Sequence, residues 1–600
     1  MPTLRPNLKI FSGYLDREDG WTASMNSNLN NIDAASPISV KAYGAVGDGV
    51  TDDTAAIQAA IAAASYGQSV LIPGPNTYSV LELAGKSGVR IVSNGARLKK
   101  QAGSANSYAL RLSGGASSNA TTLSANAVKG DTVISMSSVS GFAVGDFVLL
   151  LDDTYKIPAT NNGRNKELNR IEAIGASTIT VRNRLLGGYA TASNAAMHKA
   201  NPVYDARVSG LIVEVPIGTD TGGGIRCQDA YNCVVEDCLV LYPNDGLGFV
   251  SRSSQHIRFI DCVVRDGQNT SAGGYGYGFW FADSIDVIAI DCLTENVREN
   301  AFSWNTRYSG FINCVDIGSY DDSWNSHSSG IEGCFINGCT SISTRGTGIV
   351  IGFNGGERGD DDITVINNTI INPGANGIYV GGASTSLRTT GVVVANNVIR
   401  GTSRALDAHG ILVLFADDIT IHNNMVADRT YVSVGSGIYL EDVTNSVVTH
   451  NRLHNLVKAY GLRWKDATNC AFTNNKITEV EFNNFRSDGG TNTITLKDNT
   501  SDDLSHTLDG NELLGGNIYG TKFDHTSGTA TVANGTTSIA VTHNSGTTPS
   551  VGDILVTPTN NLGVATKFWI STITSTQFTI NVDVNPGAST ATFAWQVNVS

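Results

Sequence analysis

The sequence predicts an all-β fold: a right-handed parallel β-helix with a small inserted β-domain and a C-terminal β-sandwich. Gly occurs 65 times and Pro 13 times, and hydrophobic residues make up 41% of the chain, which favours many short strands joined by tight turns. Six hundred residues exceed what one compact core holds, which favours a repeat that grows along one axis. Residues from about 224 to 500 show such a repeat.

Each repeat unit contains a Gly with apolar residues, a polar turn, a second apolar strand and then Asp-Cys or Asn-Asn. In eight units, such as Gly224 to Cys238 and Gly410 to Asn424, the spacing is 14 residues. Successive Cys or Asn anchors lie 20 to 34 residues apart, which is the period of a solenoid. Because neighbouring coils stack at the interstrand distance, we expect the anchors from Cys238 to Asn499 to form ladders.

The flanking segments differ from the repeat. Residues 37 to 117 contain a Gly-rich stretch and a predicted helix from Asp53 to Ser65, and two segments with β-strand patterns lie outside the repeat. The predicted organisation is an N-terminal adaptor or linker (1–36), the start of the β-helix with its capping helix and first coils (37–117), an inserted small β-domain (118–200), the β-helix (201–521) and a C-terminal β-sandwich for trimerisation or carbohydrate binding (522–600).

Charge and apolar patterning exclude several classes of protein. The formal net charge of −14 has the wrong sign for a general nucleic-acid binder. The longest apolar runs, such as Ile411 to Ala416, are about six residues, far short of the roughly 20 in a membrane-spanning helix. The amino terminus lacks the apolar stretch of a secretory signal. The nine cysteines include no CxxC pair, so we expect packed free thiols, no metal site and no cofactor.

The segment VKAYGAVGDGVTDDTAAIQAAI, from Val40 to Ile61, resembles the opening of the pectate-lyase-like β-helix superfamily. With its flanking segments, the whole chain resembles a bacteriophage tailspike. The resemblance implies a homotrimer in the phage tail, joined to tail or baseplate proteins through its N-terminus and acting on bacterial surface polysaccharide such as capsule, exopolysaccharide or O-antigen. Asp48, Asp52 and Asp53 belong to the motif, and we expect them to cap the helix and its turn.

Two neighbouring coils break the apolar pattern and mark the candidate site. Asn300 to Cys314 and Tyr320 to Cys334 superimpose without a gap, which would place Trp304 level with Trp324 and Arg307 level with His327. Since side chains alternate along a strand, Trp280, Phe302, Trp304, Asp322 and Trp324 would face outward. An exposed aromatic stripe beside carboxylates is suited to hold sugar rings.

We expect Asp322 with Glu295 or Glu299 to form a catalytic acid and base pair, with Asp321 and His327 tuning it. Because Glu295 or Glu299 would reach the site from a loop, we expect a longer distance between the two carboxyl groups, which favours an inverting reaction. The alternative is that the carboxylates cap a turn or pair with arginine. Substrate contacts are predicted for Trp280, Trp304, Trp324, Arg307, Tyr308, Arg345 and Glu357. The cluster of Tyr275, Tyr277 and Trp280 could instead pack between chains of a trimer.

The first functional hypothesis is an endo-acting glycoside hydrolase with paired carboxylates. The alternative is a polysaccharide lyase, in which Arg or His acts as base beside a neutralised uronate, because Arg298, Arg307, Arg345 and Arg358 cluster here. A second alternative is a tail adhesin that binds polysaccharide without cleaving it.

Overall fold

The computed structural model describes residues 36–598. Outside the described residues lie 103–106, 156–163, 217–221, 244–245, 268–274, 304, 328–329, 353–359, 404, 406, 502–505, 508–511, 516, 519–520, 523–524 and 544–547. For some strand residues, Ser303 and His327 among them, only the backbone is described. The predicted adaptor, residues 1–36, falls almost wholly outside this range. The chain forms two compact units, Met1–Gly374 and Ala375–Ser600.

The first unit is a parallel β-helix with three faces. Face A contains Ile38–Ser39, Ser69–Ile72, Arg90–Ser93, Val203–Tyr204, Arg207–Ser209, Ala230–Glu236, Gln255–Ile260, Ile285–Ile290, Gly310–Ile312, Phe335–Asn337 and Thr364–Ile366. Face B contains Asp48–Asp52, Thr77–Val80, Arg97–Lys100, Ile212–Glu214, Leu239–Leu241, Val263–Gly267, Leu293–Val297, Val315–Ile317, Thr340–Ile342 and Thr369–Ile371. Face C contains Leu83–Ala84, Tyr108–Ser113, Gly223–Gln228, Leu247–Arg252, Tyr277–Ala282, Asn300–Ser303, Trp324–His327 and Ile349–Ile351.

The start of this β-helix carries the α-helix Thr54–Ala63 and the 3-10 helix Val40–Tyr43. The aspartates of the motif accept from backbone N–H groups, but Asp53, the N-cap residue, makes no side-chain bond to the helix and holds the preceding turn instead. Asp52 accepts from the N–H of Thr54 at the start of the helix, and Asp53 accepts from the N–H groups of Val46 and Gly47.

The Asp-Cys motif is a turn between faces A and B. Asp237, Asp261 and Asp291 have φ near +50°, a left-handed conformation that Asp and Asn tolerate best after Gly. The cysteine that follows each of them points inward. All nine cysteines lie among the described residues and are buried free thiols, as predicted.

One predicted anchor, Cys334, is wrong. It precedes the face A strand Phe335–Asn337, and the turn between faces A and B in that coil is made by Gly338 and Cys339. Gly333, like Gly338, has a positive φ, so this coil contains two Gly-Cys pairs five residues apart, and either pair matches the sequence pattern of the anchor. The true spacing in this coil is therefore longer than 14 residues.

A six-stranded antiparallel sheet is inserted between coils of the first unit. Its strands, in spatial order, are Val133–Ser135, Thr178–Val181, Arg164–Ile174, Phe147–Tyr155, Ala196–Asn201 and Gly115–Thr122. Val148, Leu150, Ile179 and Met197 are buried in a core of its own. The 3-10 helix Thr191–Ser193 precedes its strand Ala196–Asn201.

The second unit begins with further parallel coils. Their strands are Ile378–Gly381, Thr389–Thr390, Val393–Ala395, Val398–Thr402, His409–Asp417, Thr420–His422, Met425–Thr444, Val447–Thr449, Arg452–Lys465, Cys470–Thr473, Lys476–Val480, Phe485–Ser487, Ile494–Lys497, Thr500–Ser501, His506–Thr507 and Glu512–Gly515. The predicted asparagine ladder is present here. The Oδ1 of Asn424 accepts from the N–H of Asn397, and the same bond links Asn424 to Asn451, Asn451 to Asn475 and Asn475 to Asn499, at 2.9–3.0 Å.

The second unit ends in antiparallel strands. A short pair, Asn517–Ile518 with Thr521–Lys522, precedes two three-stranded sheets. One contains His525–Val532, Ala591–Asn598 and Ile554–Pro558, and the other Ser538–Thr542, Gln577–Val582 and Phe568–Ser571. Both sheets contribute to one core that includes Val541, Phe578, Ile580 and Phe593. Two 3-10 helices, Val551–Asp553 and Gly587–Ser589, lie in the connections. Among the described residues, the structure contains no helix that is long and apolar enough to cross a membrane.

Candidate active site

The register of the two polar coils differs from the ungapped superposition. Asn300 pairs with Trp324 and Ser303 pairs with His327, a sequence offset of 24 residues where the superposition assumed 20. The additional residues lie in the loop 318–323, between a face B strand and a face C strand. One coil earlier the same connection consists only of Arg298 and Glu299. The polar coils therefore differ in loop length.

This register places Trp324 inside the β-helix, so its predicted outward position is wrong. The side chain is 1% exposed, and its ring lies 6.4 Å from that of Phe311. Phe302, also expected outside, is fully buried. Trp280 lies on the outward side of its strand and is partly buried, as expected. Trp304, Glu357 and the side chain of His327 lie outside the described residues.

Arg307 and Tyr308 contact the inserted domain, through Lys166 and Lys129. Arg307 is 1% exposed and donates from Nη2 to the carbonyl of Lys166 at 2.8 Å. The Tyr308 hydroxyl accepts from Lys129 and donates to Glu332. Arg307 pairs with Glu332 in the ladder, so the expectation that it lies level with His327 is wrong.

Glu299 and Asp322 meet at the turns from face B to face C. The backbone bonds from Asp321 to Arg298 and from Asn300 to Ser323 flank the two residues and hold their coils together. The Nδ2 of Asn325 donates to Glu299 Oε2 at 3.1 Å and to Asp322 Oδ2 at 2.9 Å. Because both oxygens accept from one nitrogen, they lie no more than about 6 Å apart. That spacing is shorter than the roughly 6.5–9.5 Å of inverting glycosidases and admits the roughly 5–5.5 Å of retaining ones.

Both carboxyl groups hold their protons more tightly than usual. Burial, with the charges of Asp322 and Asp321, raises the pKa of Glu299 to about 8. Burial and the charge of Asp321 raise the pKa of Asp322 to about 7. Two carboxyl groups this close cannot both ionise readily, so at neutral pH the pair carries about one proton.

Backbone contacts fix Asp322 on its other side. The N–H of Thr347, in the following coil, donates to Asp322 Oδ1 at 2.6 Å. A Cβ at Gly346 would lie 2.5 Å from that oxygen, so glycine is required for this close approach.

Asp321, Arg298 and Arg345 form the charged rim of the site. Arg298 Nη2 lies 3.1 Å from Asp321 Oδ2, and its Nε lies 3.9 Å from Glu299 Oε1. Arg345 is exposed and its guanidinium lies 4.9 Å from the ring of Tyr320. The rim thus offers cations that can bind acidic or hydroxyl-rich sugars.

Tyr277 and Trp280 form an aromatic wall beside the pair. The N–H of Gly278 donates to the carbonyl of Glu299, so Tyr277 lies level with Glu299, one coil away. The Tyr277 side chain hydrogen-bonds to Glu299, and burial raises its pKa. Tyr277 and Trp280 pack together against Tyr108, Leu247 and Val250.

Glu295 does not join the pair. Its carboxylate lies 3.0 Å from Arg265 on the outer surface of face B, and both side chains are largely exposed. Of the two predicted partners of Asp322, the structure brings only Glu299 to it.

Sequence reasoning missed Asn325 and a buried carboxylate, Asp316, and it named Arg298 only as one of the arginines that favour the lyase alternative. Asp316 could have been found from the inward column of face B, which reads Val264, Thr294, Asp316, Ser341 and Ile370 along successive coils. The polar run interrupts an otherwise apolar column at the coils that carry the site. Among the described residues, no group of three or more His, Cys, Asp or Glu is arranged to hold a metal ion.

Comparisons with known proteins agree with this architecture. A family model described as rhamnogalacturonase A/epimerase, pectate lyase-like, matches residues 37–294, and one for a right-handed beta helix region matches residues 348–545. The tailspike protein gp49 from Pseudomonas phage LKA1 is similar in structure over 94% of this chain and 99% of that chain, with 13% sequence identity and a TM-score of 0.50. The protein has the right-handed β-helix fold of phage tailspikes.

Other solved tailspikes are also similar. The gp54 tailspike of Acinetobacter baumannii bacteriophage AP22, in complex with A. baumannii capsular saccharide, matches 96% of this chain and 97% of that chain at 13% identity and a TM-score of 0.49. A tailspike mutant of E. coli bacteriophage HK620, in complex with a hexasaccharide, matches 95% and 94% at 11% identity and a TM-score of 0.45. Among curated protein sequences, none matches the chain.

Proposed function

We propose that the protein is a phage tailspike that binds bacterial surface polysaccharide and cleaves it by endo-glycosidic hydrolysis, with Glu299 and Asp322 as the catalytic pair. The observation that carries the proposal is a buried carboxyl group, Glu299, and a half-buried one, Asp322, with oxygens within about 6 Å of each other and bridged by Asn325. Glu299 has the higher pKa and is the proton donor, and Asp322 is the ionised partner.

The spacing favours retention of configuration. Glu299 gives its proton to the glycosidic oxygen as that bond breaks, and an Asp322 oxygen bonds to the anomeric carbon to form a glycosyl ester. Water then attacks the same carbon, Glu299 takes a proton from that water, and Asp322 leaves as a carboxylate. Asn325 donates to both carboxyl groups and orients them throughout.

The experiment is incubation with purified host polysaccharide, followed by assays for new reducing ends and for the absorbance of unsaturated uronate. Hydrolysis gives reducing ends without the absorbance. Proton NMR of the anomeric signal at early times then reports the stereochemistry, and an initial product of inverted configuration would contradict the two-step mechanism.

A polysaccharide lyase is the second candidate, favoured by Arg298. Its guanidinium lies beside Glu299 and Asp321, where it could neutralise a uronate carboxylate and ease removal of the adjacent proton. A lyase would generate reducing ends and the absorbance together. A tail adhesin that binds without cleaving would produce neither.

The proposed setting is the virion tail at the host cell surface. The tailspike fold supports this location. From the resemblance of the whole chain to tailspikes, we also propose a homotrimer that is joined to tail or baseplate proteins through its N-terminus. Capsule, exopolysaccharide and O-antigen are the candidate substrates.

A further inference from the structure

Asp316 lies inside the β-helix directly behind the candidate active site. Its side chain is 0% exposed, and it stands in the middle of the face B strand Val315–Ile317. A carboxylate in such a place is costly unless hydrogen bonds compensate. Apolar residues fill the same column a few coils away, at Val264 and Ile370, so the fold itself does not require an acid there.

Four donors surround the Asp316 carboxylate. Oδ1 accepts from the hydroxyls of Thr294 and Ser319 at 2.7 Å and lies 3.4 Å from Asn300 Nδ2. Oδ2 accepts from the Ser323 hydroxyl at 2.7 Å. Burial raises the pKa of Asp316 to about 6, and the four donors oppose that rise.

Two of these donors are adjacent in sequence to the catalytic pair. Asn300 follows Glu299, and Ser323 follows Asp322. Asn300 Nδ2 also donates to the carbonyl of Ser323 at 3.0 Å, so the two segments are tied to each other as well as to Asp316. One buried carboxylate thus contacts both turns from which Glu299 and Asp322 project.

We propose that Asp316 is a positioning residue that sets the spacing of Glu299 and Asp322 by holding Asn300 and Ser323 from inside the β-helix. This inference rests on the proposed catalytic pair. The loop 318–323 has four residues more than the connection one coil earlier, and the bonds from Ser319 and Ser323 to Asp316 add to the backbone bonds that hold it to the neighbouring coils. A misplacement of about 1 Å between reacting groups can cost roughly 100-fold in rate.

The test is Asp316→Asn, which keeps the size of the side chain but leaves one accepting oxygen where the carboxylate has two. We expect kcat to fall about 10- to 100-fold with little change in KM. Ser323→Ala, a milder change, removes the link from Asp316 to the Asp322 turn together with the hydrogen bond to the Ser341 hydroxyl, and it should lower kcat in the same direction. The double variant should be no worse than Asp316→Asn, because both substitutions break one connection.

The matched control is Asp53→Asn, which alters another buried carboxylate of the same unit, bonded to the N–H groups of Val46 and Gly47. If Asp316 were merely structural, both variants would lose activity only in proportion to their loss of folded protein. Equal kcat per folded molecule in the two variants would overturn the proposal.

A readout independent of cleavage separates this inference from the proposed function. Carbon-13 NMR of labelled glutamate side chains follows the titration of Glu299. Since the nearby Asp322 charge contributes to its raised pKa, loosening the spacing in Asp316→Asn should lower that pKa. An unchanged Glu299 titration contradicts the positioning role, even in a protein that proves to cleave nothing.

Discussion

At the scale of the residue, the site depends on the single amide of Asn325. Both of its carboxylate contacts come from one nitrogen, so the acid and its partner are held by one donor. Replacing either carboxylate by its amide leaves the shape nearly unchanged and removes the ability to ionise together with one accepting oxygen.

Asp322→Asn should therefore lower kcat by roughly 10²–10⁴-fold while leaving the melting temperature and polysaccharide binding nearly unchanged. Reducing-end kinetics, thermal unfolding and binding to polysaccharide measure the three quantities. The control is Glu295→Gln, a predicted partner that is instead ion-paired with Arg265 at the surface, and it should keep parental kcat. Parental turnover in Asp322→Asn would place the chemistry elsewhere.

The activity should depend on pH as a bell. Hydrolysis needs Glu299 protonated and Asp322 ionised, and their pKa values are raised to about 8 and about 7. We expect kcat/KM to be highest near neutral pH, to fall on the acid side as Asp322 becomes protonated and to fall on the alkaline side as Glu299 ionises. A profile that keeps rising to pH 10 would be inconsistent with Glu299 as the acid.

Stability should respond to Glu299 as well. A carboxyl group whose pKa rises on folding binds its proton more tightly in the folded chain, so the free energy of unfolding falls as pH rises from about 4.5 toward about 8. Glu299→Gln removes the ionisable group and with it this pH-dependent loss of stability. Its melting temperature, relative to the parent, should increase with pH across that window and show no further change above it. A constant difference from pH 4 to 9 would mean that Glu299 ionises normally.

The sequence predicted Asp321 and Asp322 because they replace an otherwise apolar pair, and it predicted Glu299, with Glu295, because the loop just before the two coils offers both. It misplaced Trp324 and Arg307, whose positions do depend on register. Phe302 was expected level with the outward Trp280, but Trp280 pairs with Ala301. This one-residue error moves Phe302, and with it Trp324 one coil later, from the outside to the core, since strand side chains alternate.

At the scale of the element, the asparagine ladder is the clearest test of stability. Asn451 Nδ2 donates to the carbonyl of Ile421 at 2.9 Å and to Asn475 Oδ1 at 3.0 Å, while its Oδ1 accepts from Asn424. Asn451→Ala leaves these buried groups without their hydrogen-bond partner and should lower the free energy of unfolding of the coils by about 1–3 kcal/mol.

Asn469→Gly is the control for that change, because Asn469 has a left-handed backbone, with φ of 53°, that Gly adopts without strain. Asn469 also donates to an asparagine one coil away, Asn445, but that bond is exposed to water. Its loss should change the free energy of unfolding by about 0.5 kcal/mol or less. Denaturant titration compares the two variants, and equal effects would mean that the inner ladder adds nothing through burial.

Repeat units could be found from the sequence because each coil begins again at the same left-handed turn, with Asp or Asn before the inward Cys or Asn. The lengths of the loops between faces could not be predicted from the sequence. Gly333 and Gly338 offer the same turn chemistry five residues apart, and only the pairing of whole strands decides between them.

At the scale of the whole molecule, we expect three chains to associate, as the tailspike resemblance implies. Light scattering of the intact chain should give three times 63.1 kDa. The physical reason is that a solenoid gains further burial by packing its flanks against copies of itself. A monomer with full activity would contradict this expectation.

The unequal connections of the two polar coils bear on how such a protein changes over evolutionary time. Each coil is held by the same backbone bonds whether its connection from face B to face C has two residues or six. Lengthening one connection therefore leaves the backbone pairing of the neighbouring coils nearly unchanged. An insertion in a single coil can therefore bring new side chains to the site while the rest of the fold stays unaltered.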